Sequence, residues 1–256
     1  MLKPRIIPCL LVKDGGLVKT INFKSPTYIG DPVNAVKIFN EKEADELFLL
    51  DIDATSNSFE PNYKMISQIA TECRMPLCYG GGIQSVEQAK KIIGLGVEKL
   101  AISSGVLENH AMINDIASEV GSQSVSVVLD VKKKLFGEYE VYTHNGLKRL
   151  NKDPFDLIPK IEDMGAGEIV INSIDNDGKM KGYDIDLAKK VRKITNIQLS
   201  ISGGAGSLDD IKVLIEECGV LGAIAGSLFV FKGRFKAVLI NYPDQQLKEK
   251  FTVFQN

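Results

Sequence analysis

Five aspartates and two glycine-rich turns carry the residue types best suited to chemistry in this chain of 256 residues. They are Asp51, Asp53, Asp130, Asp175 and Asp177, with "YGGGIQS" at 79–85 and "SGGAGS" at 202–207. Each aspartate stands at or just past the end of an apolar run. A carboxyl held there can serve as general acid or base, or it can simply cap a turn. Asp130 lies in Leu-Asp-Val-Lys, which has a counterpart near the N-terminus in Leu-Leu-Val-Lys. Leu11 therefore aligns with Asp130: of two equivalent positions, one can move a proton and the other cannot. The pairs Gly81-Gly82 and Gly203-Gly204 let backbone N–H groups approach an oxyanion closely, just before a helix whose N-terminus adds partial positive charge. Ser103 and Ser104 in "ISSG", and Gly226 and Ser227 in "AGS", end the next apolar runs and can add amides and hydroxyls. Two such cradles imply an elongated ligand with a phosphate at each end. If the glycines only make tight turns, they imply no ligand. Lys19 can reach a phosphate, lid the site, or lie in solvent. "GGAGSL" does not satisfy the GxGxxG of dinucleotide folds. Neither His110 nor His144 has a partner at metal-ligand spacing. No metal and no cofactor is expected.

The elements that must position these residues alternate in type. Apolar runs at Ile6–Val12, Leu47–Ile52, Pro76–Tyr79, Lys99–Ser103, Val125–Asp130, Glu168–Ile174, Ile197–Ser202 and Leu221–Ala225 are rich in Val, Ile and Leu. Near-continuous apolar runs suit parallel strands covered on both faces. Helical segments lie between them. Asp31-Pro32 offers an N-cap followed by proline at the first helical position, and Ser85 with Gln88 and Ser207 with Asp210 make similar starts. Eight strands alternating with eight helices predict a (β/α)8 TIM barrel, with the site at the C-terminal ends of the strands. No linker divides the chain, so a single barrel domain over 1–256 is expected.

The chain also repeats. "ADELFLLDIDATS" from Ala44 matches "AGEIVINSIDNDG" from Ala166, and "GGIQSVEQAKKI" from Gly81 matches "GGAGSLDDIKVL" from Gly203, both at an offset of 122. Ser104 matches Ser227 at 123, and Leu11 matches Asp130 at 119. A near-constant offset through separate units predicts two half-barrels, about 1–120 and 121–240, with a helical tail behind them. A net charge of −2 gives no electrostatic case for nucleic acid or anionic membrane. No apolar run reaches the roughly 20 residues of a membrane span, and the N-terminus lacks a signal peptide's cleavage pattern. The four cysteines lack CxxC spacing, which fits buried reduced thiols. A cytoplasmic protein is expected.

Four strands begin with a charge before turning apolar: Arg5, Glu46, Lys99 and Glu168, of which Glu46 and Glu168 are repeat mates. At the bottom of a barrel they can point inward and pair. Burial of an ion costs several kcal/mol unless it is paired, so a closed ring needs all four. The sharper reading is a gate; the blander one is four surface residues.

Together these residues resemble the HisF family, the cyclase subunit of imidazole glycerol phosphate synthase. The resemblance covers nearly the whole chain and rests on "RIIPCL" with "VKDG", "GDPV", "ADELFLLDI", "GGGIQSVE", "GSQ", "YTHNG", "GAGEI", "GYD" and "SGGAGSL". It implies a half-barrel duplication that takes ammonia from a HisH-like glutaminase at the barrel's bottom. The ammonia passes through the core to a bis-phosphorylated, ribulose-type substrate at the top. It assigns Arg5, Glu46, Lys99 and Glu168 to the ammonia gate, Glu98 and Gln123 to the partner interface, and Asp130 to catalysis. Lys19, Asp51, Asp175 and Asp177 fall in the substrate loops. The family's other catalytic aspartate falls on Leu11. Gly16 stands where cyclases usually carry arginine, and "NGLKRLNKDP" at 145–154 replaces their Thr-Gly loop. This pattern resembles a divergent HisF-like branch associated with sugar amidotransferases of surface-polysaccharide pathways. A histidine-pathway cyclase using another acid and a phosphosugar-binding scaffold without chemistry remain as alternatives.

Overall fold

The eight apolar runs pair in chain order and close on themselves. The computed structural model describes residues 3–56, 59–249 and 251. Its barrel strands are β1 Arg5–Lys13, β2 Leu47–Asp51, β3 Leu77–Gly80, β4 Lys99–Ile102, β5 Val125–Lys133, β6 Glu168–Ser173, β7 Gln198–Ser202 and β8 Gly222–Ala225. Each is parallel to the next, and β8 returns to β1 with Arg5 opposite Gly222 and Pro8 opposite Ala225. The chain is thus a (β/α)8 TIM barrel.

Seven crossover helices cover the outside: Pro32–Glu41, Tyr63–Glu72, Val86–Gly94, Ala111–Val120, Pro154–Asp163, Ile185–Arg192 and Leu208–Cys218. Their starts follow the expected chemistry. Asp31 accepts Asn34 N–H ahead of Pro32, Ser85 accepts Gln88 N–H, and Ser207 with Asp210 forms a reciprocal capping box. The eighth unit departs from the expected single helix. After β8 the chain makes one turn, Ser227–Val230, then a two-residue antiparallel pair, then the short helix Gln245–Glu249. Gly233 at φ 73°, Lys236 at φ 50° and the proline at 243 interrupt it. The tail beyond residue 251 lies outside the described residues.

Alternate strand residues fill the barrel, as period-two geometry requires. Rising along the strands, the inward residues come in layers from alternate strands: Glu46, Lys99 and Glu168 with Arg5 just below them, then Ile7, Cys78, Ser126 and Ser200, then Phe48, Ala101, Val170 and Ile224, then Cys9, Gly80, Val128 and Ser202, and at the mouth Leu50, Asn172, Leu11 and Asp130. The residues between pack outward against the helices in one continuous apolar shell.

Segments that match in sequence take similar local geometry. A hairpin strand Gly16–Ile21 pairs antiparallel with the end of β1, and Tyr139–Thr143 pairs likewise with the end of β5. A Cβ on Gly81 would sit 2.3 Å from Asp51 O, and one on Gly203 would sit 2.6 Å from Ser173 O; positions 51 and 173 are themselves repeat mates. These two glycines are demanded by close strand packing and by φ of 123° and 94°, whatever binds beside them.

Candidate functional site

One cavity opens at the C-terminal ends of the strands and gathers most of the predicted site. Leu11, Lys19, Asp51, Gly81, Gly82, Ser103, Ser104, Asp130, Asp177, Gly203, Gly204, Gly226 and Ser227 all line it. Leu11 and Asp130 face it from β1 and β5, opposite one another across an eight-stranded ring. Asp175 is not among the lining residues; its carboxylate accepts the Lys133 N–H at 2.8 Å. Its repeat mate Asp53 pairs with Lys13 at 2.9 Å and accepts the Asp14 N–H. Asp51 caps the following turn, accepting Asp53 and Ala54 N–H. For Asp51, Asp53 and Asp175, turn capping is what the geometry shows.

The first loop is an ordered lid. The hairpin of Gly16–Ile21 and Lys24–Gly30 reaches across to the opposite half, where Asp177 anchors it. Thr20 Oγ1 donates to the Asp177 carboxylate at 3.0 Å, Phe23 N–H donates to it at 3.3 Å, and Asn22 N–H donates to Asp177 O. Burial raises the pKa of Asp177 against these donors. Lys19 hangs beneath the lid. It is buried, its ammonium donates to Cys9 O, and burial holds its pKa below the ordinary lysine range. A Cβ on Gly226 would sit 2.5 Å from Lys19 Nζ. The cation is therefore packed against the second cradle.

Asn172, which the sequence reading passed over, completes the mouth together with Ser103, which it named. Asn172 Nδ2 donates to Asp130 Oδ1 at 2.9 Å, while the buried Oδ1 of Asn172 has no hydrogen-bond partner among the described residues. Ser103 Oγ is buried and equally without a partner. Buried polar atoms are rarely left unmatched; two on one cavity wall fit a polar ligand. Asn172 is the repeat mate of Leu50, so the comparison that singles out Leu11 against Asp130 also finds it. One side of the mouth is apolar and the other carries a carboxyl–amide pair. Among the described residues no cluster of His, Cys, Asp and Glu could hold a metal ion.

Enclosure raises the pKa of Asp130 to about 7, the Asn172 bond opposing and the Asp177 charge assisting. An acid with a raised folded-state pKa weakens the fold: stability falls as pH rises from about 4 to about 7 by roughly 1.4 kcal/mol per unit, then levels. Asp130→Asn removes that penalty. Its Tm should match the parent at pH 4 and exceed it by several degrees at pH 8. Thermal scans showing no gain at pH 8 would place the carboxyl in water.

At the other end of the barrel the four charges close a ring. Arg5 pairs with Glu46 and, at 2.7 Å, with Glu168; Lys99 lies 3.1 Å from Glu46 and 3.0 Å from Glu168. Ser126 and Ser200 donate to Glu168 at 2.9 and 2.5 Å. Burial pushes both acids up. At Glu168, Arg5, Lys99 and Ser200 outweigh it and bring the carboxyl down to about 2; at Glu46 burial prevails. Glu98 lies beyond the ring, accepting Leu77 N–H at 2.7 Å. Gln123 is exposed, its amide folded over Gly121.

A closed barrel with glycine turns and a cavity at its mouth and a buried ionic ring at its other end defines a (β/α)8 barrel protein with its site at the C-terminal ends of the strands. Residues 5–236 match the family of histidine biosynthesis proteins. The chain is 56% identical over 251 residues to a Vibrio vulnificus protein provisionally named imidazole glycerol phosphate synthase subunit hisF3, covering 98% of this chain and 96% of that one. It is 49% identical to a Pseudomonas aeruginosa protein provisionally named subunit hisF2, with 95% and 97% covered. It is 40% identical to the imidazole glycerol phosphate synthase subunit HisF of Streptococcus sanguinis, with 90% and 91% covered. The chain belongs to the HisF family.

Proposed function

We propose that this chain is the ammonia-receiving subunit of a glutamine amidotransferase. A HisH-like glutaminase docks at the ionic ring, on the face bearing Glu98 and Gln123. The barrel binds a bis-phosphorylated ligand at its mouth and relays ammonia to a sugar amidotransferase of polysaccharide biosynthesis. The observation that carries this reading is the contrast between the two ends. The ring is closed, each of its four charges facing an opposite one, whereas Leu11 faces Asp130 where a cyclase would have two acids. A passage without the chemistry at its end suits delivery to another enzyme. Relatives at 49–56% identity all carry provisional names, two of them numbered hisF2 and hisF3 and two simply HisF, whereas those at 38–40% are named HisF without that mark, which supports a branch apart. The test is to assay amidation by the chain with a HisH-like glutaminase and a candidate sugar amidotransferase, using glutamine and then ammonia. Glutamine-dependent product that requires this chain supports relay.

A cyclase of histidine biosynthesis is the second reading, favoured by Asp130 poised near neutrality beside cradles of the expected form. Both readings require phosphate sites. Crystals grown in sulfate or phosphate are expected to show anions near Gly82 and Ser104 and near Gly204 and Ser227. Density at neither site would remove the phospholigand from both readings; density at one would mean that a half-site has been lost.

A further inference from the structure

Between the ionic ring and the mouth cavity the inward residues are almost wholly buried, and Phe48 is the largest of them. Ile7, Phe48, Cys78 and Val170 are all at most 2% exposed, and none of them lines the mouth cavity. The floor of that cavity is Cys9, Ala101, Val128 and Ile224. Phe48 sits opposite Cys9 on β1 and Cys78 on β3, among the inward residues of the barrel. The repeat shows what is unusual about it. The mate of Phe48 is Val170; the mates of Ile7 and Cys78 are Ser126 and Ser200. In the second half those positions are small, and the two hydroxyls bind Glu168. In the first half the same level is bulky and apolar. The phenyl ring is larger than the Val170 side chain it matches, and it is as fully buried.

We propose that Phe48 is a second closure of the ammonia passage, above the ionic ring, and that its ring must swing aside for ammonia to pass. This rests on the relay reading. Close packing leaves no water-sized opening at this level, so a molecule the size of ammonia cannot cross while the phenyl stays in place. Side chains in close-packed interiors still hop between rotamers, so the phenyl can open the passage by rotating about its side-chain bonds as its neighbours adjust. Two closures in series keep bulk water out of the core, which keeps ammonia uncharged in transit. A single paired ring would leak water whenever a lysine or arginine fluctuates.

The experiment compares Phe48→Val, which copies the repeat mate, with Phe48→Trp, both assembled with the glutaminase and the acceptor enzyme. Product labelling from 15N-glutamine is read against excess unlabelled ammonium. Phe48→Trp should lower the label entering product at least tenfold and leave the ammonium-dependent rate within about twofold. Phe48→Val should keep or raise the labelled fraction, and its crystals under xenon should show the gas seated between Lys99 and Ala101, as apolar cavities of this kind bind it. If Phe48→Trp does not fold, the valine variant decides alone. A lack of xenon there, with an unchanged labelled fraction, overturns the proposal. Phe48 variants that transfer normally while Lys99→Ala does not would sink the plug and spare the relay. Absence of any label transfer in the parent complex sinks both.

Discussion

With ammonia in excess and the bis-phosphorylated, ribulose-type substrate of the histidine-pathway cyclases, the purified chain is expected to turn over about 10²–10⁴-fold more slowly than a family member with two aspartates. That range is the usual worth of one positioned acid or base. Leu11 has no proton to give, and among the described residues no other acid stands in its place. Asp51 is committed to the turn at Asp53 and Ala54, and Asp53 to Lys13. Asp177 holds the lid from the same half-barrel as Asp130. Lys19, buried and below its ordinary pKa, is tied to Cys9 O. Leu11→Asp should recover only a small part of the deficit. It sets a carboxyl beside Leu50 with no counterpart of the Asn172 amide, and the loop at 145–154 stays divergent. Single-turnover rates within tenfold of a two-aspartate relative would overturn this and favour the cyclase reading.

The barrel was legible because parallel strands buried on both faces must be apolar along their length, and their polar stops mark the loops. The ionic ring was legible for a related reason: a charge opening such a run has to be paired inside or lost to solvent. What stayed hidden depends on contacts far apart in sequence. The hairpin at 16–30 carries little apolar alternation, since Lys24–Gly30 is largely exposed, and its lid position comes from Asp177 some 150 residues away. The burial of Lys19 follows from the same fold-over. The broken eighth helix was foreshadowed by Gly233 and the proline at 243 but masked by the regular pattern of the other seven. Asp51, Asp53 and Asp175 look identical to catalytic acids in sequence, because a carboxylate that accepts backbone N–H at a strand end and one that awaits a substrate occupy the same place.

The ring yields the other large effect. Arg5→Ala leaves Glu46, which has no serine partner, to Lys99 alone, and Glu168 to Lys99, Ser126 and Ser200. Removing one partner of a buried pair costs about 3–5 kcal/mol, and for a chain of this size that lowers Tm by roughly 10 °C. The pH dependence has a definite sign. The Glu168 pKa is depressed, so its contribution is complete above the ordinary glutamate pKa and is lost as pH falls toward about 2; Glu168→Gln should flatten the acid limb of the stability curve. Stability alone, however, does not require charges here. Replacing a whole buried ionic set with apolar residues of similar volume is often neutral or stabilising. A quadruple variant, Arg5→Met, Glu46→Leu, Lys99→Met and Glu168→Leu, should therefore fold with a Tm near the parent's. If the ring serves only the fold, that variant behaves like the parent in every assay. If it controls ammonia entry, glutamine-dependent amidation changes severalfold or more while the ammonia-dependent rate holds. A stable quadruple variant with both rates unchanged would leave the charges without a role in transfer, and the contrast between the two ends of the barrel would no longer favour relay.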